Sequence, residues 1–332
     1  MTRSDKKIAL FGCKQTTKFV AEFINNIIKL DYLITINPEL ASKNEVADYM
    51  DLTTFCDERD IQCYSAEAYN LKNEKDTSEI SDLKIDVAFV IGWQRLIPEK
   101  ILNSISIGIF GMHGSSMNLP LGRGRSPMNW SIIEGRKVFY TNLFKYDAGV
   151  DSGEVLDTFK FSINNRDTAE TMHFKNMLAM QYLIKTNINS ILNNHYTLSK
   201  QPDIKPTYYP KRTPEDGLID WNDDISRIER FIRAVAPPFD GAFSFVGDER
   251  ITIYDAQIFD IIDYGLDKEI PGKIVEVFTD RKFLIKGYGG LLLVNSYKSS
   301  YTPKKGDLLN NNKQKIKYFE TNKYGNYDLE TH

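Results

Sequence analysis

Four short apolar runs, "KIALFG", "YLITI", "DVAFVIGW" and "SIGIFGM", recur up to Met112 with more polar segments between them. None alternates apolar with polar residues, so each strand they form has to be covered on both faces. That requirement points to a parallel sheet sandwiched between helices. The intervening segments fit this role. "TTKFVAEFINNII" carries Phe19, Val20, Phe23 and Ile27 at helical spacing. Asn37-Pro38 ends the second strand, a polar helix is expected over Val46 to Glu58, and "LIPEKILN" reads as a short helix.

After the fourth strand the pattern breaks. "GMHGSSMNLPLGRGRSPMNW" is dense in glycine and proline, so it forms neither a long helix nor a central strand. "RSPMNWSIIEG" then fits a helix with Pro127 near its first turn. "KVFYTNLFKY" and "GEVLDTFKFSI" read as two strands joined by the turn "DAGVDSG". Asp167-Thr168-Ala169-Glu170 resembles a capping box opening a long helix whose apolar face carries Phe174, Leu178, Leu183, Ile184, Ile188 and Ile191. The proline-rich "TLSKQPDIKPTYYPKRTPEDG" reads as a linker. "DDISRIERFIRAVAPP" is a helix stopped by Pro237-Pro238, and five short strands beyond it suggest a small open barrel. The expected organisation is α/β: a parallel-sheet domain over residues 1–195, a linker at 196–213, a barrel at 214–301 and a polar tail at 302–332.

Composition narrows the function. The net charge of −3, with 42 basic against 45 acidic residues, lies on the wrong side of neutrality for a strongly basic nucleic-acid binder. The apolar run Ile8 to Phe11 is too short for a signal peptide or a membrane span, so a cytoplasmic protein without a membrane partner is expected. Cys13, Cys56 and Cys63 are odd in number and contain no CxxC pair. Reduced thiols are expected, with no disulfide framework and no metal.

Open α/β sheets bind ligands beyond the carboxyl ends of their strands. His113 directly follows the fourth strand, and the "DAGVDSG" turn offers Asp147 and Asp151 to it. A carboxylate beside an imidazole fixes its tautomer and orientation and suits the pair to acid/base work. "GCKQTT" has neither the GxGxxG nor the GxxxxGK[ST] pattern, which favours a plain strand-to-helix turn where Lys14 can still reach an anion. Trp93 in "GWQRLIP" has two readings, a cap on the core or a flat wall for a planar ring. Arg123 and Arg125 suit phosphate or carboxylate binding, solvated loop arginines being the other reading.

Taken together, "GMHGSSMNLPLGRGRSPMNWSIIEG…DAGVDSGEVL" resembles the signature of formyltransferases that use 10-formyltetrahydrofolate, among them methionyl-tRNA formyltransferase and the nucleotide-sugar N-formyltransferases. His113, Leu119-Pro120, Arg123-Gly124, Pro127 and Asp147 to Gly153 carry the match, and "TPEDGLIDW" and "RAVAPPFDGAFSF" resemble the family's second domain. The resemblance implies a Rossmann-like domain followed by a small barrel like an oligonucleotide-binding fold. It also implies 10-formyltetrahydrofolate as co-substrate, without a metal. The family's active site is an Asn, a His and an Asp. The last two map onto His113 and Asp151, but Gly111 occupies the asparagine slot, and the loop before Leu119-Pro120 is longer than the family's.

In that chemistry a primary amine attacks the formyl carbon and the carbonyl oxygen gains charge, which preorganised donors stabilise. His113 would be one donor, with Asp151 orienting it and taking the amine proton. Ser115, Asn129, a loop N–H or a water would replace the missing asparagine amide. The resemblance places Trp93, Leu96 and Ile97 on one side of the pterin and Tyr146, Asp147, Gly149 and Val150 on the other. Arg123, Gly124, Arg125 and Lys14 would face the other substrate. The region "NPELASKNEVADYMDLTTFCDERD", where a tRNA-binding member would carry a basic loop, is net acidic. "PKRTPEDGLIDW" looks closest to members acting on UDP-4-amino sugars of surface glycans. The expected substrate is therefore a nucleotide-linked 4-amino-4,6-dideoxy sugar, with UDP preferred over dTDP and a homodimer as one form of assembly. The alternatives are methionyl-tRNA formyl transfer and a non-catalytic relative that only binds nucleotide sugars.

Overall fold

The computed structural model describes residues 5–321 and Tyr327. Five strands lie parallel in its first half: Ile8–Phe11 (β1), Tyr32–Ile36 (β2), Gln62–Ala66 (β3), Val87–Val90 (β4) and Gly108–Ser115 (β5). Between them run the helices Gln15–Ile27 (α1), Pro38–Lys43 (α2), Thr53–Glu58 (α3), Glu74–Asp82 (α4) and Glu99–Ser104 (α5). The two-residue strand Arg123–Gly124 (β6) and the helix Pro127–Ile133 (α6) precede Val138–Lys145 (β7) and Val155–Ser162 (β8). These last two extend the large sheet to the order β3-β2-β1-β4-β5-β7-β8, with β7 antiparallel to β5. The sheet is thus mixed rather than wholly parallel.

Alternate residues of each strand feed opposite cores, as the pleat requires. Ile8, Leu10, Leu33, Phe89 and Phe110 pack with Val20 and Ile24 of α1 and with Leu183, Ile184 and Ile188 of the long helix Ala169–Leu192 (α7), whose Phe174 and Leu178, expected on the same face, are instead exposed. Ala9, Phe11, Ile34, Val90 and Ile109 pack with Ile80 of α4, Ile101 of α5 and Trp93. Burial on both faces is the reason these strands read as continuous apolar runs.

The helix expected over Val46 to Glu58 does not form as one piece. Glu45 and Asp48 adopt left-handed backbone (φ 48° and 57°), which a helix cannot contain. Asp51 instead accepts from the main chain and hydroxyl of Thr53, starting the short α3 there. β3 and α4 carry no apolar periodicity. They are fastened by the fully buried Asp76, which accepts from Glu67 N, Ala68 N and the Tyr64 hydroxyl.

The remaining elements are Tyr208–Tyr209 (β9), a 3₁₀ turn at Pro214–Gly217, Ile225–Val235 (α8), Ala242–Val246 (β10), Glu249–Asp260 (β11), Ile274–Val277 (β12), Phe283–Gly287 (β13) and Gly290–Lys298 (β14). β10 to β14 form an antiparallel sheet of order β10-β11-β14-β13-β12, the small barrel-like domain. Its core joins Ile228 and Ile232 of α8 to Ile251, Ile253, Phe283, Ile285, Leu292 and Val294. Leu309 belongs to the same core, and Asn310 pairs with Phe245. The stretch after Thr302 is therefore not solely a polar tail.

The chain forms two compact units. One comprises the residues up to Arg123, Tyr140–Phe161 and Lys175–Pro206; the other comprises Gly124–Phe139, Ser162–Phe174 and the residues from Thr207 onward. They interleave along the chain, where the sequence leads one to expect a single linker at 196–213. Among the described residues no helix is long and apolar enough to cross a membrane. Nor do three or more His, Cys, Asp or Glu side chains gather there to hold a metal ion.

Candidate active site

β4 pairs with β5 only as far as Val90 against Gly111, while β7 follows β5 out to Ser115. Residues Met112 to Ser115 therefore project past the carboxyl end of β4, the edge where such sheets bind ligands. His113 sits on this projection, 7% exposed. Its Nδ1 is 3.3 Å from Asp151 Oδ2, and its Nε2 is 2.7 Å from the Gly122 carbonyl. Both ring nitrogens thus face oxygen atoms, one from a carboxylate and one from the main chain.

Gly122 brings that carbonyl in because nothing larger fits. Its φ is +69°, and an added Cβ would lie 2.1 Å from Ser115 Oγ. Asp151 is itself in the left-handed region, at φ 50°. Asp tolerates this conformation better than most residues, yet the turn around it has to hold it there. Three anchors do so. Asp147 Oδ1 accepts from Gly149 N (3.0 Å) and Ser152 Oγ (2.6 Å). Lys145 N donates to Glu154 O, closing the mouth of the turn. Gln201 Nε2 donates to both Asp151 O and Gly153 O, at 2.8 Å each. Gln201 also accepts from Arg123 Nη2 at 2.7 Å. The two aspartates are thereby separated: Asp147 shapes the turn, and Asp151 meets the imidazole.

Gly111 lies under the ring of Tyr146. A Cβ built on Gly111 would come 1.9 Å from Tyr146 Cε2. Phe144 stacks against the same ring, with centroids 5.3 Å apart. Burial, together with the negative charge of Asp151, pushes the Tyr146 hydroxyl above the usual phenol range.

The other residues singled out in the sequence fall into distinct settings. Trp93 (6% exposed) packs edge-on against Tyr69 and Phe11, and Ile97 is buried in the same core. Leu96 and Val150 stand exposed at 45% and 47%. Lys14 begins α1, with its ammonium 4.0 Å from Asp48. Arg123 is buried, whereas Arg125 is exposed and uses its main chain to bond Tyr209 O. Gly124 passes so close to Tyr209 that an added Cβ would lie 2.5 Å from its carbonyl oxygen. Of the two substitutes expected for the missing asparagine, Asn129 donates its amide to Ala234 O in the second unit. Ser115 is fully buried and accepts from Met117 N. Gln201 carried no signal in the sequence, being one polar residue in a proline-rich stretch.

The larger sheet carries a His–Asp contact at its carboxyl edge, and a five-stranded antiparallel sheet forms a separate barrel-like domain. Residues 6–183 match the formyl transferase domain and residues 211–307 match the formyl transferase C-terminal domain. The chain belongs to the formyl transferase family. It is 34% identical over 189 residues to the bifunctional polymyxin resistance protein ArnA of Wigglesworthia glossinidia brevipalpis, a match spanning 57% of this chain and 29% of that protein. Its fold is similar to that of an N-formyltransferase from Helicobacter canadensis in complex with folinic acid and dTDP-3-aminofucose. For that pair the TM-score is 0.62 and the identity 19%, covering 88% of this chain and 100% of the other. It is also similar to WlaRD, a sugar 3N-formyl transferase solved with dTDP and 5-N-formyl-THF. Here the TM-score is 0.62 and the identity 19%, covering 89% of this chain and 98% of the other.

Proposed function

We propose that the chain transfers the formyl group of 10-formyltetrahydrofolate to the primary amine of a nucleotide-linked amino sugar. The observation that carries this reading is the His113–Asp151 contact at the carboxyl edge of β5. The relatives solved with reduced folates and dTDP species support it. The finer reading is a UDP-4-amino-4,6-dideoxy sugar destined for a surface glycan, with the step taking place in the cytoplasm. The choice of sugar rests on the likeness of "PKRTPEDGLIDW" to members acting on such sugars.

Formyl folate is a second substrate here, and it supplies an activated one-carbon acyl group. Asp151 faces His113 Nδ1 and accepts the proton that the amine loses as its nitrogen bonds to the formyl carbon. His113 Nε2, exchanging the Gly122 carbonyl for substrate, donates to the formyl oxygen as that oxygen gains charge. As the bond from the formyl carbon to the folate nitrogen breaks, the proton held at Asp151 passes to that nitrogen, which balances the reaction. The exposed apolar side chains of Leu96 and Val150 suit the faces of a planar ring. Arg125, exposed in the glycine-rich loop, suits a diphosphate.

The test is a substrate screen of purified protein with 10-formyltetrahydrofolate against UDP- and dTDP-linked amino sugars and initiator methionyl-tRNA. Formylated sugar without formylated tRNA is the expected result; the reverse would replace the reading. Gln201 gives a second expectation. Gln201→Ala removes both carbonyl anchors of the Asp151 turn, so unfolding free energy falls by about 1–3 kcal/mol. Turnover falls roughly ten- to hundredfold as Asp151 loses its fixed position, with nucleotide-sugar binding by calorimetry unchanged.

A further inference from the structure

The geometry at Gly111 poses a problem for formyl transfer, and the following inference rests on that reading of function. One donor, His113, is in place, and the residue two positions before it has no side chain to offer a second. We infer that the hydroxyl of Tyr146 is that second donor, occupying from just past the end of β7 the space an amide on Gly111 would fill from β5.

Three observations place it there. A Cβ on Gly111 would meet Tyr146 Cε2 at 1.9 Å and both Cδ2 and Cζ at 2.8 Å. The tyrosine ring therefore lies over the start of the vacant side chain, and Cζ, the atom bearing the hydroxyl, is among the nearest. Glycine at 111 and tyrosine at 146 are a steric pair: either one enlarged or displaced disturbs the other. Second, the ring is held. Tyr146 N donates to Ile109 O at 2.8 Å, and Phe144 stacks on it at an interplanar angle of 26°. Third, the charge of Asp151 acts on the Tyr146 hydroxyl, and Asp151 is the carboxylate that meets His113. Burial and that charge both disfavour the phenolate, so Tyr146 keeps its proton at neutral pH and acts as a donor.

The competing amide is Asn142, the register partner of His113 on β7. Its Oδ1 accepts from the Thr158 hydroxyl, and its buried Nδ2 has no partner among the described residues. Asn142 is fully buried while Tyr146 is half-buried, and only the tyrosine ring lies on Gly111. Tyr146 takes no part in proton exchange. It donates a hydrogen bond to the formyl oxygen while the amine nitrogen bonds to the formyl carbon and the folate nitrogen leaves.

The experiment compares steady-state formylation by wild type, Tyr146→Phe, Tyr146→Ala, the double variant G111N/Y146A and Asn142→Ala, with circular dichroism confirming each fold. Tyr146→Phe keeps the ring and is expected to lower kcat about 100- to 1,000-fold with little change in either KM. G111N/Y146A, which clears the overlap and supplies an amide from β5, is expected to exceed Y146A in kcat by about tenfold or more. Wild-type kcat in Tyr146→Phe overturns the assignment while leaving formyl transfer standing. Loss confined to Asn142→Ala overturns it too, and gives the role to that amide. A wild type that formylates none of the UDP- and dTDP-amino sugars overturns the transfer reading, and the role of Tyr146 with it.

Discussion

Asp151→Asn is expected to leave the fold intact and to lower kcat by about 100- to 10,000-fold, the range associated with losing a positioned acid or base. Asparagine has the same shape and tolerates the left-handed backbone that residue 151 adopts. It cannot take up a proton, and it withdraws the charge beside His113 Nδ1. His113→Asn removes the other half of the contact and is expected to cost a similar factor. Because Asp151 also holds the His113 ring in place, the double variant should lose less than the product of the two single losses. A thermodynamic cycle on kcat measures this directly. Losses that multiply would mean two independent roles, and the contact at 3.3 Å would then have no catalytic meaning.

Gly153→Ala is expected to destabilise the protein by about 3 kcal/mol, at the upper end of what overpacking imposes. The added methyl would lie 1.7 Å from the carbonyl oxygen of Lys145, a main-chain atom of β7 that cannot rotate away. Relief has to come from opening the turn, and the Lys145 N to Glu154 O bond and the Gln201 clamp on Gly153 both resist that. The displacement would reach Asp151, two residues earlier, so turnover should fall along with stability. Denaturant unfolding monitored by circular dichroism gives the first quantity and steady-state formylation the second. A variant of wild-type stability would show that the turn is looser than its contacts indicate.

Much of this site is legible in the sequence because its parts are consecutive. The apolar runs locate β1, β2, β4 and β5, and the run into His113 marks the strand end that carries it. "DAGVDSG" is short enough that its glycines and aspartates define one turn wherever the strands lead. The features that escape the sequence depend on pairing across the sheet. That Tyr146 covers Gly111 requires the register Phe144 against Gly111, which neither strand states alone. Gln201 acts through two main-chain carbonyls some fifty residues earlier, and backbone acceptors leave no trace in side-chain spacing. The edge strand β3 reads "QCYSA", with most of its side chains not fully buried, so apolar continuity fails there. That only α3 forms within the span 46–58 reflects the left-handed residue at 48, which no periodicity reveals.

The central claim is that the imidazole of His113 and the carboxylate of Asp151 together move a formyl group onto an amino sugar. Single-turnover formylation, with enzyme in excess over 10-formyltetrahydrofolate and folate and sugar affinities measured separately by calorimetry, tests it most directly. The account predicts a rapid burst of N-formyl sugar from the wild type and its near-absence from H113N and D151N, with both affinities retained. Bursts of equal rate and size in all three proteins would contradict it.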